Sequence, residues 1–177
     1  DKVVQIITDM FEQKPKLTKS FVINNIEYGV IPNLDDISLG EYIDLDTYMG
    51  DWDNMEIAMN VLYRPIKMRM GEKYLIEEYD IDSEYKLTDI PLDVVLGSVF
   101  FFLQFRDGII ASYDGLFGRP QEGQLDASSN FSRKWGWYQS IFTVLAQGDI
   151  TRLENISKLG LHKCLYALEY SKEKSQM

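Results

Sequence analysis

Cysteine and histidine are almost absent from this chain of 177 residues. The one cysteine, Cys164, excludes a disulfide framework, and the one histidine, His162, leaves too few ligands for most zinc sites. Long uncharged apolar runs are also missing, since the longest candidate, Val94 to Phe105, has 12 residues and a membrane span needs about 20. We therefore expect no disulfide, no metal and no membrane contact, and we predict a buried core helix at this run.

Lysine and arginine are missing from one long stretch. Between Ser20 and Tyr63 the chain has nine acidic residues and no basic one. The whole chain has a net charge of −10, which disfavours direct binding to nucleic acid because acidic surfaces repel phosphate. Complementary charge guides protein association, so we predict that this stretch docks a basic protein surface. The predicted contact residues are Asp35, Asp36, Glu41, Asp44, Asp46, Asp51 and Asp53.

The same acids allow other interpretations. Solvated helix faces and acids in the first turn of a helix, where the helix dipole favours negative charge, account for some of them. A calcium loop beginning at Asp44 or Asp80 fails, because neither frame has glycine at its sixth position. A catalytic pair of carboxylates cannot be located among 28 acidic residues. We predict no catalytic, cofactor-binding or metal-binding residue.

The apolar patterning predicts a mainly α protein of the α+β class, with a small N-terminal β-hairpin and one further short strand. The hairpin covers Phe21 to Ile31 and turns at Asn24-Asn25, because asparagine tolerates the positive φ of a two-residue turn. Capping boxes starting at Ser38 and Asp53 predict helices at 39–49 and 54–63, the second with Trp52 in a hydrophobic staple. The remaining predicted elements are helices at 3–11, 92–105, 131–146, 150–156 and 159–174, a strand at 73–79 and a loop at 118–129. The helix at 92–105 can extend to Phe117, although Gly97 and Gly108 weaken it.

Charge suggests a division into an acidic N-terminal half, residues 1–90, and a neutral helical half, residues 91–177, which can share one core. In the second half, Trp135, Trp137 and Tyr138 follow two basic residues. We predict Trp135 and Tyr138 in the core and Trp137 at a partner contact. His162 and Cys164 are two apart on a predicted helix, so they lie on different faces and form no catalytic dyad.

Several methionines resemble an adaptable binding surface, because methionine is flexible and polarizable. The set is Met49, Met55, Met59, Met68 and Met70. Met55 and Met59 recur at helical spacing with Ala58 and Leu62, so they fit a buried helix stripe more simply.

Three segments together are similar to known sequences: EYGVIPNLDDISLGEYIDLDTY at 27–48, AMNVLYRP at 58–65 and PLDVVL at 91–96, with WGWY at 135–138 and GDIT at 148–151 adding to the set. They resemble small proteins encoded among the structural and tail-assembly genes of tailed bacteriophages, including crAss-like phages. The resemblance implies a non-enzymatic morphogenesis protein, a structural virion component of the tail or baseplate region that acts by protein–protein contact.

The resemblance further implies a multi-copy assembly with other phage structural proteins that carry basic surfaces, and a location in the virion and, during assembly, in the host cytoplasm. It implies no cofactor and no catalytic residue. A tail-assembly chaperone that is absent from the mature particle remains an alternative. The acidic composition also leaves open a DNA mimic and a small acid-dependent hydrolase.

Overall fold

The computed structural model describes residues 15–80, 87, 89–117 and 136–176. It has a mainly α, α+β fold with one four-stranded antiparallel sheet, as the sequence predicts. The chain divides into two units, the first within residues 1–34 and 44–107 and the second within 35–43 and 108–177. Each unit therefore takes residues from both the acidic and the neutral half. The helix predicted at 3–11 and the loop predicted at 118–129 lie outside the described residues.

The sheet belongs to the first unit, and its strands lie side by side in chain order. They are β1 (Ser20–Ile23), β2 (Ile26–Val30), β3 (Tyr63–Met70) and β4 (Lys73–Ile76). The predicted hairpin is confirmed, because Asn24 and Asn25 form its turn with φ values of 51° and 64°. Both values lie in the left-handed region that a two-residue turn requires.

Strand β3 is the element that the sequence analysis missed. It begins directly after a helix and contains Pro65, which lacks the N–H that a ladder hydrogen bond needs. From Ile66 to Met70 apolar and basic residues alternate, which is the period-two pattern of a strand, but the prediction gave more weight to Pro65. The strand predicted at 73–79 is β4, and it ends three residues earlier, at Ile76.

Helices make up most of the other described residues. They are α1 (Leu39–Tyr48), α2 (Met55–Leu62), α3 (Leu92–Ser112), α4 (Asp114–Phe117), α5 (Leu153–Ser157) and α6 (Leu161–Ser175). Three single 3-10 turns lie at Leu34–Asp36, Trp52–Asn54 and Ile150–Arg152. Residues 136–139 are helical and continue as a π-helix at Ser140–Leu145. The ends of α1, α2, α5 and α6 lie close to their predicted positions.

The core of the first unit forms between one face of the sheet and the buried stripe of α2. Phe21 contacts the rings of Tyr28 and Tyr63, with centroid distances of 5.9 Å and 4.9 Å. The stripe of α2 is buried as predicted, including Met55 and Met59. The Tyr63 hydroxyl donates a hydrogen bond to the carbonyl of Thr18 at 2.7 Å, and burial raises the pKa of Tyr63 to about 12.

Helix α3 is less buried than the sequence analysis predicted. Only one stripe, which includes Val94, Ser98 and Phe102, is buried, whereas Leu92 and Leu103 are exposed. The Ser98 hydroxyl satisfies itself locally by donating to the Val94 carbonyl at 2.7 Å. Hydropathy shows that a helix is apolar but not how many of its faces are covered, and this is why the predicted core helix is buried on one side only.

The second unit joins the start of α1 to the start of α6. The Leu39 N–H donates to Leu159 O at 2.8 Å, and the Leu161 N–H donates to Ile37 O at 2.9 Å. Helix α6 buries the four residues that its spacing predicts, which are Leu161, Cys164, Leu165 and Leu168.

Tyr138 was predicted in this core and is instead exposed, stacked on Phe142 with ring centroids 5.7 Å apart. Tyr138 lies two residues before the π-helix at Ser140–Leu145. Helical spacing does place it beside Phe142, four residues later, but spacing alone does not show whether a partner element covers that side of the helix. The other predicted core residue, Trp135, lies outside the described residues.

Candidate protein-contact surfaces

Glu41, one of the predicted contact acids, caps helix α1. Its carboxylate accepts a hydrogen bond from the Ser38 N–H at 2.8 Å, and its own N–H donates to the Ser38 hydroxyl at 3.2 Å. This is the predicted capping box, and it leaves Glu41 only 8% exposed. The carboxylate is therefore occupied by the start of its own helix.

Replacing Ser38 with alanine is expected to lower the free energy of unfolding by about 1 kcal/mol, because the Glu41 N–H loses its acceptor. Urea denaturation followed by far-UV circular dichroism measures the change. Ser112→Ala is the control, since the exposed Ser112 hydroxyl only donates to a carbonyl of its own helix, at Gly108. Equal effects of the two substitutions would contradict the capping role.

Asp51 stabilises the turn before helix α2. Its Oδ1 accepts from the Asp53 N–H at 3.1 Å, and its Oδ2 accepts from the Asn54 side-chain amide at 2.8 Å. The predicted cap at Asp53 is wrong, because α2 begins at Met55 and its N-cap residue, Asn54, makes no side-chain capping bond. Asp53 is exposed. Trp52, predicted as a buried staple, is 63% exposed.

Asp44 and Asp46 both make contacts within the first unit. The Tyr79 hydroxyl donates to Asp44 Oδ2 at 2.7 Å. Burial raises the pKa of Asp44 above its ordinary value, and the Tyr79 hydrogen bond opposes this rise. Asp46 Oδ1 forms an ion pair with Arg106 of helix α3, whose Nε lies 2.7 Å away.

Replacing Asp44 with asparagine is expected to raise the melting temperature at pH 7. Because burial raises the pKa of Asp44 in the folded state, the folded chain binds this proton more tightly than the unfolded chain, so the charged form at pH 7 opposes folding. Asparagine keeps an oxygen that accepts from Tyr79. The advantage should shrink as the pH falls through the raised pKa towards 3.8, the ordinary value.

Thermal melts between pH 3 and pH 7 test this expectation. Asp46→Asn is the matched control, because it removes the ion pair with Arg106 and should give no gain in melting temperature at pH 7. An Asp44→Asn chain that melts below the wild type at pH 7 would contradict the expectation.

The seven predicted contact acids thus fall into two groups. Four make the contacts described above and are at least partly buried, and three are exposed: Asp35, Asp36 and Asp53. Asp35 and Asp36 lie in the turn Leu34–Asp36 and belong to the second unit, and Asp53 belongs to the first. A role in binding a partner stays a prediction for all seven.

Trp137, the other predicted contact residue, is half-buried in an aromatic cluster of the second unit. Its ring meets the rings of Tyr42 and Phe117 edge-on, with centroid distances of 5.8 Å and 6.1 Å. One part of the indole therefore packs inside the unit and the rest remains accessible. Its contact with a partner stays a prediction.

Two strands of the sheet present an apolar face that the sequence analysis did not locate. In the β3–β4 register, Met68 lies opposite Leu75 and Met70 lies opposite Lys73. Side chains alternate between faces along a strand, so Met68, Met70 and Leu75 share one face, and each is more than half exposed. We call these three residues the methionine face. The other three methionines of the predicted surface, Met49, Met55 and Met59, are buried.

Helix α6 presents an exposed aromatic pair. Tyr166 and Tyr170 are four residues apart, so they lie on the same side of the helix, and each is about two-thirds exposed. Tyr113 packs beside Tyr166, and its hydroxyl oxygen lies 2.7 Å from His162 Nδ1. Burial raises the pKa of Tyr113 to about 12. His162 is thus bonded to Tyr113, while Cys164 lies in the core.

A small cleft lies beside strand β3, at Arg64, Asn60 and Tyr79. Its volume of about 20 Å³ has room for one water molecule. Within the described ranges, no group of three or more histidine, cysteine, aspartate or glutamate residues is placed to hold a metal ion. Among the same residues, α3 is the one helix that is long and apolar enough to cross a membrane, by length and composition only. Of its most apolar segment of 18 residues, 33% is buried inside the protein.

Comparison with known proteins identifies no relative. No protein-family model, no curated protein and no solved structure matches this chain.

Proposed function

We propose that this chain is a non-enzymatic protein of bacteriophage morphogenesis, a structural component of the tail or baseplate region that acts by contact with other virion proteins. The methionine face is the observation that carries the contact role. Exposing three neighbouring large apolar side chains to water is unfavourable in free energy, and binding a partner that covers them is therefore favoured. The resemblance of segments 27–48, 58–65 and 91–96 supports the phage assignment.

A second exposed surface of different chemistry supports a multi-copy assembly. Tyr166 and Tyr170 belong to the second unit, and the methionine face belongs to the first. Tyrosine is enriched in protein interfaces because its ring buries a large area while its hydroxyl stays hydrogen-bonded. A component with two such surfaces can contact more than one neighbour in a particle.

The arrangement of the acids favours protein contact over DNA mimicry and over acid-dependent hydrolysis. The exposed Asp35, Asp36 and Asp53 suit a partner with a basic surface. A DNA mimic needs rows of outward carboxylates, yet Glu41 and Asp51 cap their own turns and Asp46 pairs with Arg106. Asp44, whose pKa is raised as a general acid's would be, is bonded to Tyr79 instead.

A tail-assembly chaperone is the second candidate, and the exposed methionines favour it. Flexible, polarizable methionine side chains adapt to different partners, and a holding protein needs this property. Such a protein would bind its client during assembly and leave before the particle matures.

Quantitative mass spectrometry of gradient-purified particles tests the proposal and separates it from the chaperone role. We expect a constant copy number per particle, in simple ratio to the portal or tail proteins. If the chain is abundant in infected cells but missing from purified particles, the structural role is wrong and the chaperone role is favoured.

A further inference from the structure

The methionine face is held in a fixed position by the opposite side of the same two strands. There, Arg69 forms an ion pair with Glu27 and lies over the Tyr74 ring, 5.3 Å from its centroid. The Tyr74 hydroxyl donates a hydrogen bond to Val30 O at 2.9 Å. The Tyr74 ring occupies the space that a side chain at Gly29 would need. One side of the β3–β4 hairpin is therefore tied to the sheet, and the other side, the methionine face, is open to a partner.

Two cations flank the methionine face. Lys73 pairs with Met70 across the hairpin, and Lys67 is the additional residue of a bulge between Ile66 and Met68. Both are exposed, and neither forms an ion pair with any residue that the structure describes. The surface is thus apolar in its centre, and its edge carries two lysines and one carboxylate, the exposed Glu72 of the turn, which leaves a local excess of positive charge in a strongly acidic chain. A complementary partner would place an apolar group inside a negative rim.

The chain itself carries such a group, at the turn before helix α2. Trp52 is an exposed indole between Asp51 and the exposed Asp53, and the exposed Glu56 follows in the first turn of α2. We call these four residues the tryptophan turn. The two hydrogen bonds that Asp51 accepts fix the turn, so presenting Trp52 costs little further ordering.

We propose that the tryptophan turn of one copy docks on the methionine face of a second copy. Tryptophan is the residue type most often found to dominate a protein interface, and sulfur–aromatic contacts with Met68 and Met70 suit it. Asp53 and Glu56 would meet Lys67 and Lys73, which sets the orientation. Both surfaces are exposed within one chain, so they do not cover each other there.

The two surfaces are different, so the contact is head-to-tail. Such a contact repeats from copy to copy and produces a closed ring or an open filament. The inference rests on the proposed role in a multi-copy assembly, and it identifies the surfaces that join the copies.

Sedimentation velocity over a range of concentrations tests the docking. We expect the wild-type chain to self-associate and to dissociate as salt is added, since surface charges are screened. Trp52→Ala, and separately Met68→Ser with Met70→Ser, should each weaken association by roughly tenfold or more. Val22→Ser is the control: Val22 is as exposed as Trp52 but lies on the opposite face of the sheet, so association should not change.

Charge exchange provides a sharper test. A chain with Lys67→Glu and Lys73→Glu has two negative surfaces, and a chain with Asp53→Lys and Glu56→Lys has two positive ones. Each alone should fail to associate, and an equimolar mixture should associate again, because each surface then meets its opposite. Circular dichroism establishes that both variants are folded, and the Trp52→Ala result stands if one is not.

Three results would overturn the docking: a wild-type chain that is monomeric at every concentration, association that Trp52→Ala leaves unchanged, or folded charge variants that do not associate when mixed. A monomeric chain found at fixed copy number in particles would refute the docking and leave the structural role intact. A chain that self-associates by these surfaces but is missing from particles would support the docking and refute the structural role.

Discussion

Gly97→Ala in helix α3 is expected to destabilise the protein by about 1–3 kcal/mol, although alanine is the better helix former. A Cβ atom at Gly97 would lie 2.3 Å from the carbonyl oxygen of Lys16 and 3.0 Å from its carbonyl carbon. These are backbone atoms of the segment that leads into strand β1, so they cannot rotate away as a side chain would. The helix or this segment must move, and Ser98 and its neighbours lose packing.

Gly108 provides the matched control in the same helix. A Cβ atom there meets nothing within 4 Å, so Gly108→Ala should stabilise the protein by roughly 0.5–1 kcal/mol through helix propensity alone. Urea denaturation followed by circular dichroism at 222 nm measures both changes. If both substitutions changed the free energy of unfolding in the same direction, the close approach of Lys16 to Gly97 would not be what determines the effect of Gly97→Ala.

Leu161→Ala is expected to have the largest effect on the second unit, about 2–5 kcal/mol of unfolding free energy. Leu161 is completely buried at the start of helix α6. Its backbone N–H also donates to Ile37 O, which fixes its position beside the start of α1. Removing the Cγ methine and the two δ-methyl groups leaves a cavity that these constrained surroundings can fill only in part.

Leu159→Ala is the control, because it shortens an exposed leucine and so shows how much of the Leu161→Ala effect is due to burial. Leu159 lies two residues earlier and is exposed, and the contact it contributes is made by its backbone carbonyl, which accepts from the Leu39 N–H. Alanine keeps that carbonyl, so the control should cost less than about 1 kcal/mol. Similar losses for the two variants would show that Leu161 is not the centre of this core.

Local signals were sufficient to predict much of the fold. The Asn24-Asn25 turn, the box of Ser38 and Glu41, and the buried stripe of α6 all depend on residues within a few positions of one another. Strand β3 could not be predicted in the same way. Its pairing with β2 joins residues more than thirty positions apart, and Pro65 argued against a strand.

The candidate surfaces were predictable only in part. Composition identified the acidic stretch and the methionine set, but not which members the fold would use. Asp44 accepts a hydrogen bond from Tyr79 and Asp46 forms an ion pair with Arg106. Neither partner lies close in sequence, so these contacts could not be predicted from local patterns. Trp52 was missed because a tryptophan before a helix usually packs as a staple; its acidic neighbours on both sides were the available signal.

The position of the methionines also gives the protein an uneven sensitivity to oxidation. Met68 and Met70 are open to water, whereas Met49, Met55 and Met59 are shielded in the core. Peroxide converts an accessible methionine to its sulfoxide, which is polar and chiral, and dedicated reductases reverse the change. Mild oxidation would therefore mark the β3–β4 hairpin before it damages the fold, so that a chemically aged sample would keep its helices and lose the apolar character of this one face.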